Sequence, residues 1–114
     1  MTALADVDHD HAGAALLDVR VHLDRDGLLV AVAGEVDLLT APEITRAVLG
    51  HLVARPRYVE LDLSRVTYFG VTGIAALLAV RDATRCTGAE LRLVAGPAVT
   101  DALGRLGLDR VVAR

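Results

Sequence analysis

The stretch that decides the fold is residues 61–78, LDLSRVTYFGVTGIAALL. Its first part belongs to a predicted strand at 58–63, in which apolar residues alternate with acids. A tight loop follows, and the apolar run after the loop predicts a helix that begins at Thr72. A helix start leaves backbone N–H groups unpaired and carries a partial positive charge. This junction can therefore hold an anion or a phosphorylated side chain.

Outward from this junction, strand and helix patterns alternate along the chain. Residues 17–23 alternate apolar and polar side chains, a turn follows, and residues 28–36 are more apolar throughout, which predicts an antiparallel hairpin. The other predicted elements are helices at 40–55, 72–87 and 96–106, a strand at 89–95 and a short last strand or frayed end at 108–112. Because strands alternate with helices after the hairpin, those strands should be parallel, with right-handed crossovers.

The chain has 114 residues, which is enough for one compact domain and not for two. We predict an α/β domain over residues 15–114, with a mixed, mostly parallel sheet, an N-terminal β-hairpin and three helices packed on the sheet. Residues 1–14, rich in Ala, Asp and His, are expected to form a flexible arm.

A few residues are predicted to fix the ends of these elements. Thr40 should cap the first helix, and Glu43 three residues later completes a capping box. The plainest role of Thr72 is the N-cap of the second helix. Gly88 is expected to end that helix in a left-handed conformation. Asp62 is expected to bond the loop that follows its strand.

Composition narrows the class of protein. The chain is 54% hydrophobic, but its apolar runs are short and broken by charges, which argues against direct membrane insertion. Its acidic start is unlike the basic start of a signal peptide, so we expect a cytoplasmic protein. Cys86 is the only cysteine, which excludes an internal disulfide; we expect a small half-buried residue late in a helix.

Charge and motifs argue against nucleic-acid binding and catalysis. The net charge is −3 and only three aromatic residues are present, so no basic, stacking surface is expected. The acid and histidine cluster at 6–11 lies on no predicted rigid element and is interpreted as a solvated tail, not a metal site. There is no Ser–His–acid set and no nucleotide-loop lysine. We therefore expect no cofactor, no metal and no enzymatic activity.

Two blocks of sequence resemble one known family. Residues 34–42, GEVDLLTAP, are similar to a Gly-Glu-x-Asp segment followed by Thr-Ala at a first helix, and residues 61–78 are similar to a signature strand, loop and helix. In this order and spacing they resemble the STAS domain, the module of bacterial anti-sigma factor antagonists and of sulfate transporter tails. The resemblance covers residues 16–112 and implies the α/β fold predicted above.

The resemblance also implies a function in transcription regulation by partner switching. Antagonists of this family bind an anti-sigma factor, a serine kinase of the ATPase-like type, and free a sigma factor until the kinase phosphorylates a loop serine. In many of them the loop reads Asp, Ser, Ser or Thr, Gly. This chain has Gly70 in place of the Asp and Val71 in place of the phosphoacceptor. Thr72 aligns with the second hydroxyl residue and is the remaining candidate for phosphorylation.

The partner-binding surface is expected at the end of the sheet where the strands lead into their helices. The residues predicted to form it are Asp37, Thr40, Phe69, Gly70, Val71, Thr72, Gly73 and Pro97. Asp37 has two competing roles, contact with a partner and bonding of the turn ahead of the first helix. We expect Val71 to be exposed to water. The sequence leaves the oligomeric state open, including a homodimer.

Two other functions stay open at this point. One is an accessory subunit of a lipid-transport ABC complex, because small STAS-type subunits of that kind also lack the phosphoacceptor. The other is an enzyme or a nucleotide-binding protein. Gly70 and Gly73 are weakly similar to the glycines of a phosphate-binding loop. The first hypothesis is a non-enzymatic binding module of the antagonist type with a degenerate phosphorylation loop.

Overall fold

The computed structural model of the protein describes residues 17–108. Its elements are strands β1 (Leu17–Leu23), β2 (Gly27–Val36), β3 (Tyr58–Phe69) and β4 (Glu90–Ala95), helices α1 (Ala41–Leu49), α2 (Val71–Cys86) and α3 (Pro97–Arg105), and a short 3-10 helix (Leu52–Ala54). The strands form one four-stranded sheet in the order β1-β2-β3-β4. β1 and β2 are antiparallel, whereas β3 is parallel to both β2 and β4. The predicted fold class is therefore confirmed.

The alternation in the sequence places the core on one face of the sheet. β1 buries every second residue from Leu17, and β3 does the same with Val59, Leu61 and Leu63. α1 packs against α2, and both helices pack on the sheet. The helices bury branched apolar side chains, among them Ile44, Val48, Ile74, Leu77 and Val80. The core is thus a helix layer against an apolar sheet face.

The central strand β3 is longer than the strand predicted at 58–63. It has 12 residues, and β4 pairs only with its first half, residues 58–63. Its second half pairs with β2 alone, up to Val36 opposite Phe69, across two register shifts in β2. The prediction failed because the polar residues at 64–65 interrupt the alternation where the sheet is irregular, although Val66 and Phe69 beyond them are buried.

Two helix boundaries also differ from the prediction. α1 ends at Leu49, not near residue 55, and the chain continues through the separate 3-10 helix. α2 begins at Val71 with Gly70 as its N-cap residue, so Thr72 lies inside the helix and does not cap it. Gly88 has a φ of +84°, as expected for a left-handed helix end.

Some expectations about the rest of the chain are also resolved. Cys86 is exposed, not half-buried. The arm expected at residues 1–14 and the last strand expected at 108–112, apart from Leu108, lie outside the described residues. Within residues 17–108, none of the helices combines the length and the apolar character needed to cross a membrane.

Candidate functional site: an apolar surface at the ends of β2 and β3

The loop from β2 to α1 is held by the side chains of Asp37 and Thr40. The carboxylate oxygen Oδ1 of Asp37 accepts hydrogen bonds from the backbone N–H groups of Leu39 (2.9 Å) and Thr40 (3.1 Å). The hydroxyl of Thr40 accepts from the backbone N–H of Asp37 at 2.9 Å and donates to the carbonyl of Glu35 at 2.7 Å. The loop is therefore rigid although it has no regular secondary structure.

These bonds correct the role predicted for Thr40. Thr40 is the N-cap residue of α1 by position, but its hydroxyl makes no capping bond to that helix. The hydroxyl points back into the loop instead. There it donates to the carbonyl of Glu35 and accepts from the backbone N–H of Asp37. Only 9% of Thr40 is exposed, so it holds the loop from beneath.

The backbone N–H of Thr40, followed by its hydroxyl and the N–H of Leu39, lowers the pKa of Asp37 below its ordinary value. The ionised carboxylate is the form that accepts all of these bonds. Of the two roles considered for Asp37, the structure shows the bonding of the turn. A lowered pKa makes this carboxylate a weaker base than an ordinary aspartate.

This rigid loop presents two leucines to solvent. Leu38 is 72% exposed and Leu39 is 81% exposed. Both side chains are turned outward because the backbone of residues 37–40 is committed to the Asp37 and Thr40 hydrogen bonds. Sequence reasoning placed the loop 37–40 on the contact surface but named only Asp37 and Thr40 within it. The signal that could have found them is their position between an acid and a threonine that bond each other.

The junction from β3 to α2 lies next to this loop. Gly70 donates its backbone N–H to the carbonyl of Val36 (3.0 Å) and accepts, through its own carbonyl, the N–H groups of Gly73 (2.9 Å) and Ile74 (3.2 Å). Val71 then occupies the first position of α2 and is 76% exposed. The expectation that Val71 faces water is confirmed. We call Leu38, Leu39 and Val71 together the apolar patch.

Several residues predicted to contact a partner lie beneath the patch or away from it. Phe69 is 7% exposed and Gly73 is buried. A Cβ atom at Gly73 would lie 2.9 Å from both Phe69 and Val36, so α2 needs glycine here to approach the strands closely. These residues support the surface and do not form it.

Pro97 is not brought to the apolar patch. A Cβ atom on its neighbour Gly96 would lie 2.6 Å from the carbonyl oxygen of Ser64, which places the start of α3 beside the middle of β3. Phe69 lies five residues beyond Ser64 along the strand, a distance of about 16 Å. The prediction grouped Pro97 with the loops because it follows a strand end, but β4 ends six residues short of β3 in register.

A groove of about 520 Å³ runs between α1 and α2 beside the patch. Its lining is mostly apolar or small, and it is formed by Leu38, Ala41, Pro42, Thr45, Arg46, Thr72, Ala75 and Ala76. Leu38 belongs to both the groove and the patch, so the two form one surface. In residues 17–108 no group of three or more His, Cys, Asp or Glu side chains is placed to hold a metal ion. What the surface offers is contact area.

Comparison with known proteins agrees with this architecture. The model of the STAS domain family matches residues 17–114. The chain is 32% identical over 95 residues to Osmosensory protein A of Mycobacterium tuberculosis, covering 83% of this chain and 58% of that protein. It is 31% identical over 70 residues to the Anti-sigma-B factor antagonist of Listeria monocytogenes, covering 61% of each. The chain therefore spans about three fifths of the length of these two relatives.

A solved structure is similar over most of the domain. An anti-sigma factor antagonist from Mycobacterium paratuberculosis superposes with a TM-score of 0.72 at 26% identity, covering 83% of this chain and 81% of that one. The chain belongs to the STAS domain family. Within that family, the relatives and structures it is similar to include anti-sigma factor antagonists.

Proposed function

We propose that the chain is a non-enzymatic protein-binding module that acts in the cytoplasm as an anti-sigma factor antagonist. The observation that carries the proposal is the exposed Val71 at the first position of α2, at the end of the sheet where the neighbouring loop exposes Leu38 and Leu39. Large apolar side chains grouped on a rigid surface mark a protein interaction site. Burying each of them against a partner would stabilise the complex by about 1.5–3 kcal/mol before the costs of association.

The partner in this proposal is an anti-sigma factor of the ATPase-like serine kinase type. Binding it would release a sigma factor and so regulate transcription. The similarity to antagonists supports this class of partner. It does so for the domain alone, because the two named relatives extend well beyond the matched region.

The proposal differs from the usual partner switch in its off step. A phosphate adds a charge of about −1.5 to −2 and a strongly hydrated group to a contact surface. Val71 has no hydroxyl to accept it. Thr72, the next residue, is half-buried and lines the groove between the helices. We infer that the complex is not dissociated by phosphorylation of this loop.

Phosphorylation is tested by adding the acceptor back. The chain and its Val71→Ser variant are incubated with a purified anti-sigma kinase from the same genome and ATP, and intact masses are measured. We expect one phosphate on the variant and none on the original chain, since Ser at the exposed first position of α2 restores the hydroxyl. Stoichiometric phosphate on Thr72 of the original chain would reject the unswitched mechanism.

Partner identity is tested by affinity capture with the full chain as bait. Recovery of a kinase-type anti-sigma factor supports the proposal, provided that excess untagged chain competes it away. Recovery of a transport ATPase and its permease would replace the proposal by the second candidate, an accessory subunit of a lipid-transport ABC complex.

A further inference from the structure

The groove between α1 and α2 combines an apolar floor with a single charged residue. Ala41 and Ala76 lie buried at its base, and their small side chains leave the space between the helices unfilled. Pro42 and Ala75, both exposed, stand on opposite walls. Of the residues that line the groove, Arg46 alone carries a charge. An occupant must therefore be apolar over most of its contact.

Arg46 is exposed in the last turn of α1. Its guanidinium makes no hydrogen bond or ion pair with any residue between 17 and 108, whereas those of Arg20, Arg92 and Arg105 each pair with a carboxylate close in sequence. Glu43, which lies one turn earlier on α1, does not line the groove. The guanidinium thus offers planar donors that suit a carboxylate of an incoming molecule.

We propose that the groove receives an acidic amphipathic segment of the partner protein. An apolar side chain of that segment lies between α1 and α2, and an Asp or Glu about one turn away pairs with Arg46. An amphipathic helix in a hydrophobic groove is a common mode of recognition. Because Leu38 belongs to both the groove and the patch, the segment continues the contact made by the patch. This inference rests on the proposed function and adds the chemistry of the partner.

A second copy of this chain is disfavoured as the occupant. Each copy has a net charge of −3, which opposes association. The carboxylate beside the apolar patch, that of Asp37, is already engaged by the backbone N–H groups of Leu39 and Thr40 in its own loop. The acidic residues at 6–11 of the same chain are a third possible occupant, which the experiment distinguishes.

The charge requirement is tested by the affinity of charge variants of the full chain for the purified anti-sigma kinase used above. We expect Arg46→Glu to weaken binding by about tenfold or more at low salt, with a smaller loss at high salt. Arg46→Lys loses the planar fork but keeps the charge, so its affinity should fall by less than that of Arg46→Glu, within about threefold of the original chain. The matched control is Arg85→Glu, which changes the same charge on an exposed residue of the last turn of α2.

The location is tested by placing a photo-crosslinking amino acid at position 45, in the groove wall. We expect cross-links to a kinase peptide in which Asp or Glu lies near large apolar residues. Cross-links to residues 1–16 of the same chain, or to a second copy, would overturn the inference. So would wild-type affinity of the Arg46→Glu variant. If Val71→Glu nevertheless weakens binding, the proposed function stands; if neither variant matters, both proposals are wrong.

Discussion

Val71 presents a branched apolar side chain to water where a helix start would favour a small polar or acidic residue. Its exposure means that the fold gains little from it, whereas a partner that covers it would gain the full apolar contact. We expect Val71→Glu to weaken kinase binding by about tenfold or more. The free energy of unfolding should change by less than about 0.5 kcal/mol, because the new carboxylate is solvated and lies at a positive helix end.

The matched control for this prediction is Val53→Glu. Val53 is 85% exposed and lies in the 3-10 helix, away from the ends of β2 and β3. Affinity is measured by calorimetry and stability by urea unfolding. Equal losses of affinity in the two variants would contradict the prediction, as would a loss of stability that parallels the loss of binding at Val71.

At the scale of single residues, the sequence predicts exposure better than hydrogen-bond partners. The position of Val71 follows from its place between a buried strand and a helix, and that prediction is confirmed. The hydroxyl of Thr40 was assigned to the wrong partners because capping and loop bonding require the same residue types. Only coordinates show that the hydroxyl of Thr40 donates its hydrogen bond to the carbonyl of Glu35, at 2.7 Å.

At the scale of elements, the end of α1 differs from the prediction by six residues, as much as the end of β3 does. The apolar spacing continues through Leu52, so the pattern predicts one helix. The chain instead forms a 3-10 helix that ends at Ala54, and Arg55, the next residue, has φ and ψ both at 55°. Among residues 17–108, Arg55 is the only residue other than glycine with a positive φ. The buried Leu52 explains the apolar spacing without a continuous helix.

This left-handed residue leads to a prediction about stability. A side chain in the left-handed region destabilises the folded state by about 1–2 kcal/mol, and glycine avoids this cost. Glycine also gives the unfolded chain more conformational freedom, which offsets part of the gain. We expect Arg55→Gly to raise the free energy of unfolding by about 0.5–1 kcal/mol, measured by urea unfolding. Arg57→Gly is the control: Arg57 has no positive φ, so glycine there should lower stability.

At the scale of the whole molecule, the unequal strand lengths place the site. β2 and β3 extend past the end of β4, so the loop after β2 and the junction after β3 meet at the carboxyl end of the parallel pair. The sequence predicts this meeting from strand order alone. It does not predict which strands reach that far, and this is why Pro97 was grouped with the patch. The groove and Arg46 were likewise missed, because they depend on how closely α1 approaches α2.

Three carboxylates that accept hydrogen bonds from nearby residues also make the stability of the whole molecule depend on pH. The backbone N–H of Gly27 lowers the pKa of Asp24, the N–H of Thr40 lowers that of Asp37, and the hydroxyl of Ser64 lowers that of Asp62, all from an ordinary value of 3.8. A carboxyl group whose pKa is lower in the folded state stabilises the fold above its unfolded pKa. That contribution is lost as the pH falls through the folded pKa.

We therefore expect the urea midpoint to be constant from neutral pH down to about 5 and to fall below about pH 4. The hydrogen bonds made by the three carboxylates weaken as they protonate: Asp24 lies in the β1–β2 turn, Asp37 in the loop before α1 and Asp62 within β3. The triple variant Asp24→Asn, Asp37→Asn, Asp62→Asn should be less stable at neutral pH and should show a flatter dependence below pH 4. A midpoint that rises on acidification, or a triple variant with an unchanged slope, would show that other groups control the response to acid.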